Sequence, residues 1–76
     1  MNGVIDRSAR GISRLSEREL DILQLAADGI RTLQMSEWLD ISYATARTHK
    51  QNILRKLNCH TMTAAVAMGF REGRLT

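Results

Sequence analysis

Residues Ser42–Leu57 read SYATARTHKQNILRKL, with no glycine, proline or acidic residue among them. At about 100° per residue, Ala46, Ile53 and Leu57 share one side of a helix. Arg47, Thr48, Gln51, Asn52 and Arg55 share the opposite arc. The spacing predicts a helix over 43–57, capped by Ser42, with an apolar back and a cationic, hydrogen-bonding front. A rod of that kind suits a groove of nucleic acid, because side chains on one arc can reach base edges while the other arc holds the fold.

The flanking residues supply partners for the apolar back. Leu15-Ser16-Glu17-Arg18-Glu19-Leu20 places an N-cap serine three residues before a glutamate, with leucines at the two staple positions; the pattern predicts a capping box. Glu17 and Glu19 also favour the positive end of the helix dipole. This first helix runs through Leu20, Leu23, Ala26 and Ala27, with Ile22 at the edge of the stripe, and stops near Asp28. Gly29 takes the left-handed position there. A second helix is expected over 33–40 with Thr32 as its cap and Met35, Ser36 and Leu39 facing inward. Ile41 and Ser42 make the turn into the 43–57 helix, and Asn58 ends it in the left-handed region. A last helix over 62–72, capped by Thr61 or Thr63 and ended by Gly73, carries Ala65, Val66 and Phe70. No stretch alternates as a strand does. The expected class is all-α with four helices, the second and third joined tightly as a helix-turn-helix. In such an arrangement the second helix braces on phosphates while the third enters the major groove.

Seventy-six residues make one small domain, burying only about 60% of the surface its unfolded chain exposes. That leaves little room for a catalytic cleft. No glycine-rich phosphate loop is present, and no serine has histidine and carboxylate at a motif spacing, so an enzyme is not expected. Cys59 is the lone cysteine; it reads as a small half-buried hydrophobe. With His60 and the distant His49 it completes no ligand set, so neither metal nor cofactor is expected. The lone thiol fits a reducing compartment. No apolar run approaches the ~20 residues of a membrane span, and the N-terminal MNGVIDRSAR, residues 1–10, lacks a signal peptide's apolar stretch; the reading is cytoplasmic. Residues 1–13 are polar with two glycines and are expected to form a mobile arm ahead of a domain over 14–76.

The net charge of +3 is unevenly distributed. Residues 15–40 sum to −4, whereas 41–71 hold Arg47, Lys50, Arg55, Lys56 and Arg71 with no carboxylate at all. Polyanion binding depends on such local potential rather than on the total. The acidic residues of the first two helices are expected on solvated faces.

From Leu15 to about Leu75 the chain resembles the LuxR/FixJ/GerE type of bacterial helix-turn-helix domain. The residues that carry the resemblance are LSERELDILQLAADG at 15–29, Leu39-Ile41-Ser42, Thr45, His49, Asn52-Ile53-Leu54, Arg55-Lys56-Leu57 and Ala65-Val66. The resemblance implies a four-helix domain that reads double-stranded DNA in the major groove, usually as a dimer. Carried over by position, Arg47, Thr48 and Gln51 would face base edges. Tyr43, Thr45, Lys50, Arg55 and Lys56 would meet the phosphate backbone. The dimer contact would come from the last helix through Met62, Ala65, Val66 and Gly69. Relatives commonly carry a sensor ahead of this module; here only residues 1–13 precede it, so a stand-alone regulator is expected, controlled by expression level, dimerisation or a partner.

Four departures mark this chain. Met35-Ser36 replaces a usual Ile-Ala pair, and Ala46 replaces a usual valine, a loss of roughly 1–2 kcal/mol at about 0.8 kcal/mol per buried CH₂. Leu33 and Trp38 stand where polar residues are common, and Asp40 where an apolar one is, its charge disfavouring a nearby phosphate. Trp38 is read as extending the core, with a protein-contact anchor as the alternative. Lys50 is expected to pack its stem and reach a phosphate with its ammonium; His49 reads as a packed, hydrogen-bonded core histidine. Met35, Met62 and Met68 read as gap-fillers. The rival function, favoured by Leu33, Trp38 and Asp40, is a protein-interaction module that pairs with a related regulator or RNA polymerase and binds DNA weakly or not at all.

Overall fold

The computed structural model describes residues 11–76; most of the expected N-terminal arm, 1–10, lies outside them. Gly11–Arg14 form a 3-10 turn, followed by α1 (Glu17–Ala27), α2 (Thr32–Leu39), α3 (Tyr43–Leu57) and α4 (Met62–Arg71). No strand occurs among the described residues.

The helix starts follow from local chemistry. Ser16 Oγ accepts from the Glu19 N–H at 3.1 Å, and the Ser16 N–H donates to Glu19 Oε1 at 2.8 Å. This reciprocal box satisfies two donors that the first turn would otherwise leave open. Ser42 and Thr61 cap α3 and α4 through the N–H groups of Thr45 and Ala64. α2 differs: its N-cap is Arg31, which makes no side-chain bond, and Thr32 is already helical. The expected Thr32 cap is therefore corrected by one residue.

The helix ends are set by left-handed residues. Gly29 has φ +83° after α1, and Asp40 and Asn58 have φ 56° and 55° after α2 and α3. At Asp40 the aspartate that looked out of place becomes intelligible. A short polar side chain tolerates the left-handed region better than a bulky apolar one. The reversal lets the Ile41 N–H reach the Ser36 carbonyl at 2.9 Å and aims the chain into α3.

α3 lies at the centre, packed against α1, α2, α4 and the 3-10 turn. Its Ala46, Ile53 and Leu57 are buried, as the wheel requires, with Ile22, Leu23, Met35 and Ala65 around them. Ile22 is fully buried at the heart of the core rather than at the edge of its stripe. Ile12 is 0% exposed and its N–H donates to Glu72 Oε1 at 3.2 Å. Ile12, expected in the arm, is thus packed into the core. Leu75 closes the other end. A Cβ at Gly69 would stand 2.6 Å from Leu75 Cγ, so glycine there is what lets the C-terminal segment seat.

Three aromatic and acidic positions differ from expectation. Trp38 is 59% exposed and Phe70 is 49% exposed; neither extends the core. α2 and α4 each bury a narrow face, and these rings fall outside it. Glu19 is buried rather than solvated.

Candidate nucleic-acid interface

With its back held on three sides, α3 turns its front outward. Arg47, Thr48 and Gln51 are exposed, and none of their side chains bonds to another described residue. One turn of helix therefore presents a guanidinium, a hydroxyl and a carboxamide with free hydrogen-bonding capacity, on a backbone that the core fixes. Tyr43 is exposed at the first turn. Thr45 is exposed too, its hydroxyl accepting from Ser42 Oγ at 2.9 Å. Arg55 is exposed and donates to Asn52 Oδ1 at 3.3 Å, one turn back on the same helix.

The two lysines of α3 have different surroundings. Lys50 is half-buried, and its Nζ donates to Thr32 Oγ1 at 2.8 Å. The stem packs as expected, and the head ties the start of α2 to α3. Lys56 Nζ stands 2.8 Å from Glu19 Oε1, with side-chain exposures of 31% and 6%. Burial pushes the Glu19 carboxyl up, the largest single influence. The Lys56 hydrogen bond, the Ser16 N–H and the Lys56 charge together outweigh it and hold the carboxyl below its ordinary value. Lys56 is thus the internal counter-ion of the α1 capping box, and its charge is largely neutralised before any phosphate approaches. Its expected phosphate contact would have to compete with this ion pair. His49 is half-buried but has no hydrogen-bond partner among the described residues.

A shallow groove runs beside α3, lined by Thr32, Tyr43, Arg47, Lys50, Gln51, Leu54, His60, Thr61 and Met62. It joins the cationic front of α3 to the starts of α2 and α4. Thr32, His60 and Thr61 were not among the expected site residues. They come from other elements, and no pattern along the chain places them beside α3.

Of the α4 residues expected at a dimer contact, two are buried and two are partly exposed. Ala65 is fully buried, Gly69 lies beneath Leu75, and Met62 and Val66 are half-buried against the core. Helical geometry then leaves Thr63, Ala64, Ala67 and Phe70 as the exposed face of α4. α4 is apolar nearly all round, so periodicity cannot choose its inner face, and the cleft above Leu23 does.

Comparison with known proteins agrees with this architecture. Residues 13–69 match the family described as bacterial regulatory proteins, luxR family. The chain is 43% identical over 60 residues to the nitrate/nitrite response regulator protein NarP of Escherichia coli, covering 79% of this chain and 28% of that protein. It is 36% identical over 63 residues to the nitrate/nitrite response regulator protein homolog of Haemophilus influenzae, covering 83% and 30% respectively. Among solved structures, the transcription factor GerE superposes with a TM-score of 0.77 at 34% identity, covering 82% of this chain and 92% of GerE. The chain thus spans under a third of the length of those two regulators and nearly all of the GerE structure. No helix among the described residues is long and apolar enough to cross a membrane. On its sequence, its four helices and its central α3, the chain belongs to the luxR family of bacterial regulatory proteins and has the fold of that family's helix-turn-helix DNA-binding domain.

Proposed function

We propose that the chain binds duplex DNA sequence-specifically as a homodimer, with α3 in the major groove, and so regulates transcription in the cytoplasm. One observation carries this reading: Arg47, Thr48 and Gln51 stand exposed and unbonded on one turn of a helix whose opposite side is locked into the core. Arginine pairs in a fork with guanine O6 and N7, and glutamine with adenine N6 and N7. Each good pair discriminates by about 1–3 kcal/mol. Tyr43, Thr45, Lys50 and Arg55 flank this turn and take phosphates. The groove beside α3 supports that role, because Lys50 and Thr32 meet there at an α2 start that no side chain caps. Dimerisation uses the exposed side of α4, through Ala64, Ala67 and Phe70, rather than the residues that pack inward. Recruiting or occluding RNA polymerase is how such a domain would act on a promoter.

Selecting bound duplexes from a random pool tests the reading. The expected result is a two-fold symmetric consensus whose affinity falls with salt at a log–log slope of about −0.9 per phosphate contacted. No enrichment, or binding indifferent to Arg47→Ala and Gln51→Ala, would overturn it.

A further inference from the structure

α2 carries a feature that DNA binding does not use. Met35 and Ser36 are buried, and the outward arc holds Leu33, Gln34, Glu37 and Trp38, followed by Asp40. Leu33 and Trp38 are each 59% exposed. The carboxylates of Glu37 and Asp40, on either side of Trp38 in the chain, pair with no other described residue. We infer that this face docks a protein partner presenting arginine or lysine next to an apolar side chain, leaving α3 free for DNA.

The chemistry selects that occupant over two others. Phosphates are repelled by Glu37 and Asp40, so the duplex does not cover this face. In the proposed dimer a second copy is engaged face to face through α4, Phe70 and Arg71 included, and what remains of it is its acidic α1–α2 surface, which repels, or the front of α3, which the duplex occupies. A basic, apolar surface satisfies every group at once. Its cations pair with the two carboxylates and lie on the indole, a favourable cation–π arrangement, while its apolar residue covers Leu33. Tryptophan is enriched among residues that dominate interface energies. Trp38 lies six residues beyond Thr32, which is about 9 Å along the helix axis, so a partner here clears the groove beside α3.

Trp38 is the chain's only tryptophan, so its fluorescence reports this face directly. The probe is an amphipathic helical peptide of leucine and arginine, titrated into the full chain, with a leucine–glutamate peptide of the same length as control. The leucine–arginine peptide should give a saturable blue shift, and Glu37→Gln with Asp40→Asn should weaken it roughly fivefold to tenfold, two surface charge pairs' worth. Leu33→Ala should weaken it by a similar factor, whereas Trp38→Ala should leave affinity for duplex DNA within about twofold. The leucine–glutamate peptide, drawn to α3 instead, should leave the emission unmoved. The inference is overturned if the leucine–arginine peptide gives no saturable shift, if the two peptides shift emission equally, or if the carboxamide variant binds as the native chain does. It is equally overturned if Trp38→Ala abolishes DNA binding, or if it dissolves a dimer seen by sedimentation. The peptide titration contains no DNA, so its failure and the failure of the DNA-binding reading are distinguishable.

Discussion

Two parts of α3 carry positive charge, and the molecule treats them in opposite ways. At the seam with α1, Lys56 is held 2.8 Å from a buried glutamate that is itself bonded to the Ser16 N–H. At the front, the side chains of Arg47, Thr48 and Gln51 bond to no other described residue. A count of cations along 41–71 weighs these positions equally. The fold does not: what stands opposite a side chain decides whether its charge stabilises the domain or remains available to a ligand. Stability and recognition are therefore separable on one helix, and substitutions along it should sort accordingly.

The back of α3 should show the largest effect. Ile53 is fully buried among Ile22, Leu23 and Met35, and Ile53→Ala should cost about 2–5 kcal/mol of stability, read as a lower denaturant midpoint with an unchanged slope. DNA selectivity measured on the folded fraction should survive. If selectivity collapsed while the midpoint held, the division between back and front would be wrong.

Lys56→Ala should come next. It leaves the Glu19 carboxylate buried with only the Ser16 N–H for company, which costs about 2 kcal/mol once the partial exposure of the lysine is allowed for. The salt dependence of DNA binding should stay close to that of the native chain, because the charge removed was already paired. A slope shallower by about 0.9 would instead show Lys56 on a phosphate.

Arg47→Ala inverts the pattern. Stability should change by less than about 0.5 kcal/mol, as for an exposed surface position. Affinity for the selected duplex should fall by about 1–3 kcal/mol, with preference relaxed at a single base pair. Binding to unrelated duplex should weaken far less.

Much of the front-and-back division was legible along the chain. The bounds of α3, the Ser16–Glu19 box and the left-handed Gly29 and Asn58 all depend on residues within a few positions of one another. Local chemistry suffices for those. The seam was not legible, because Glu19 and Lys56 are far apart in sequence and nothing local reports that a capping glutamate will be covered by a third helix. Ile12 shows the same limit: a lone isoleucine in a polar stretch has no periodicity, and only the cleft it fills identifies it as core. Trp38 and Phe70 fail for a different reason. Large apolar side chains carry a general bias toward burial, but a short helix packs only a narrow face, and these two fall on the other side.

The smallest effect should come from titrating the seam rather than cutting it. The Glu19 carboxyl lies below its ordinary value of about 4.5 in the folded chain, whereas in the unfolded chain it titrates in the ordinary range. As pH falls through that range, the unfolded state takes up the proton first, so stability declines with pH there. The contribution is fully present above the ordinary range and is lost once the pH passes below the folded value. Denaturant midpoints measured from pH 7 down to about pH 3, within the ordinary carboxylate range and below it, should fall more steeply in the native chain than in Glu19→Gln. Lys56→Ala should also flatten the decline, since it removes two of the influences that lower the carboxyl and leaves burial to oppose the Ser16 bonds. A parallel decline in the native chain and in Glu19→Gln would mean that other carboxylates dominate the acid limb and that the seam, however well bonded, does not set it.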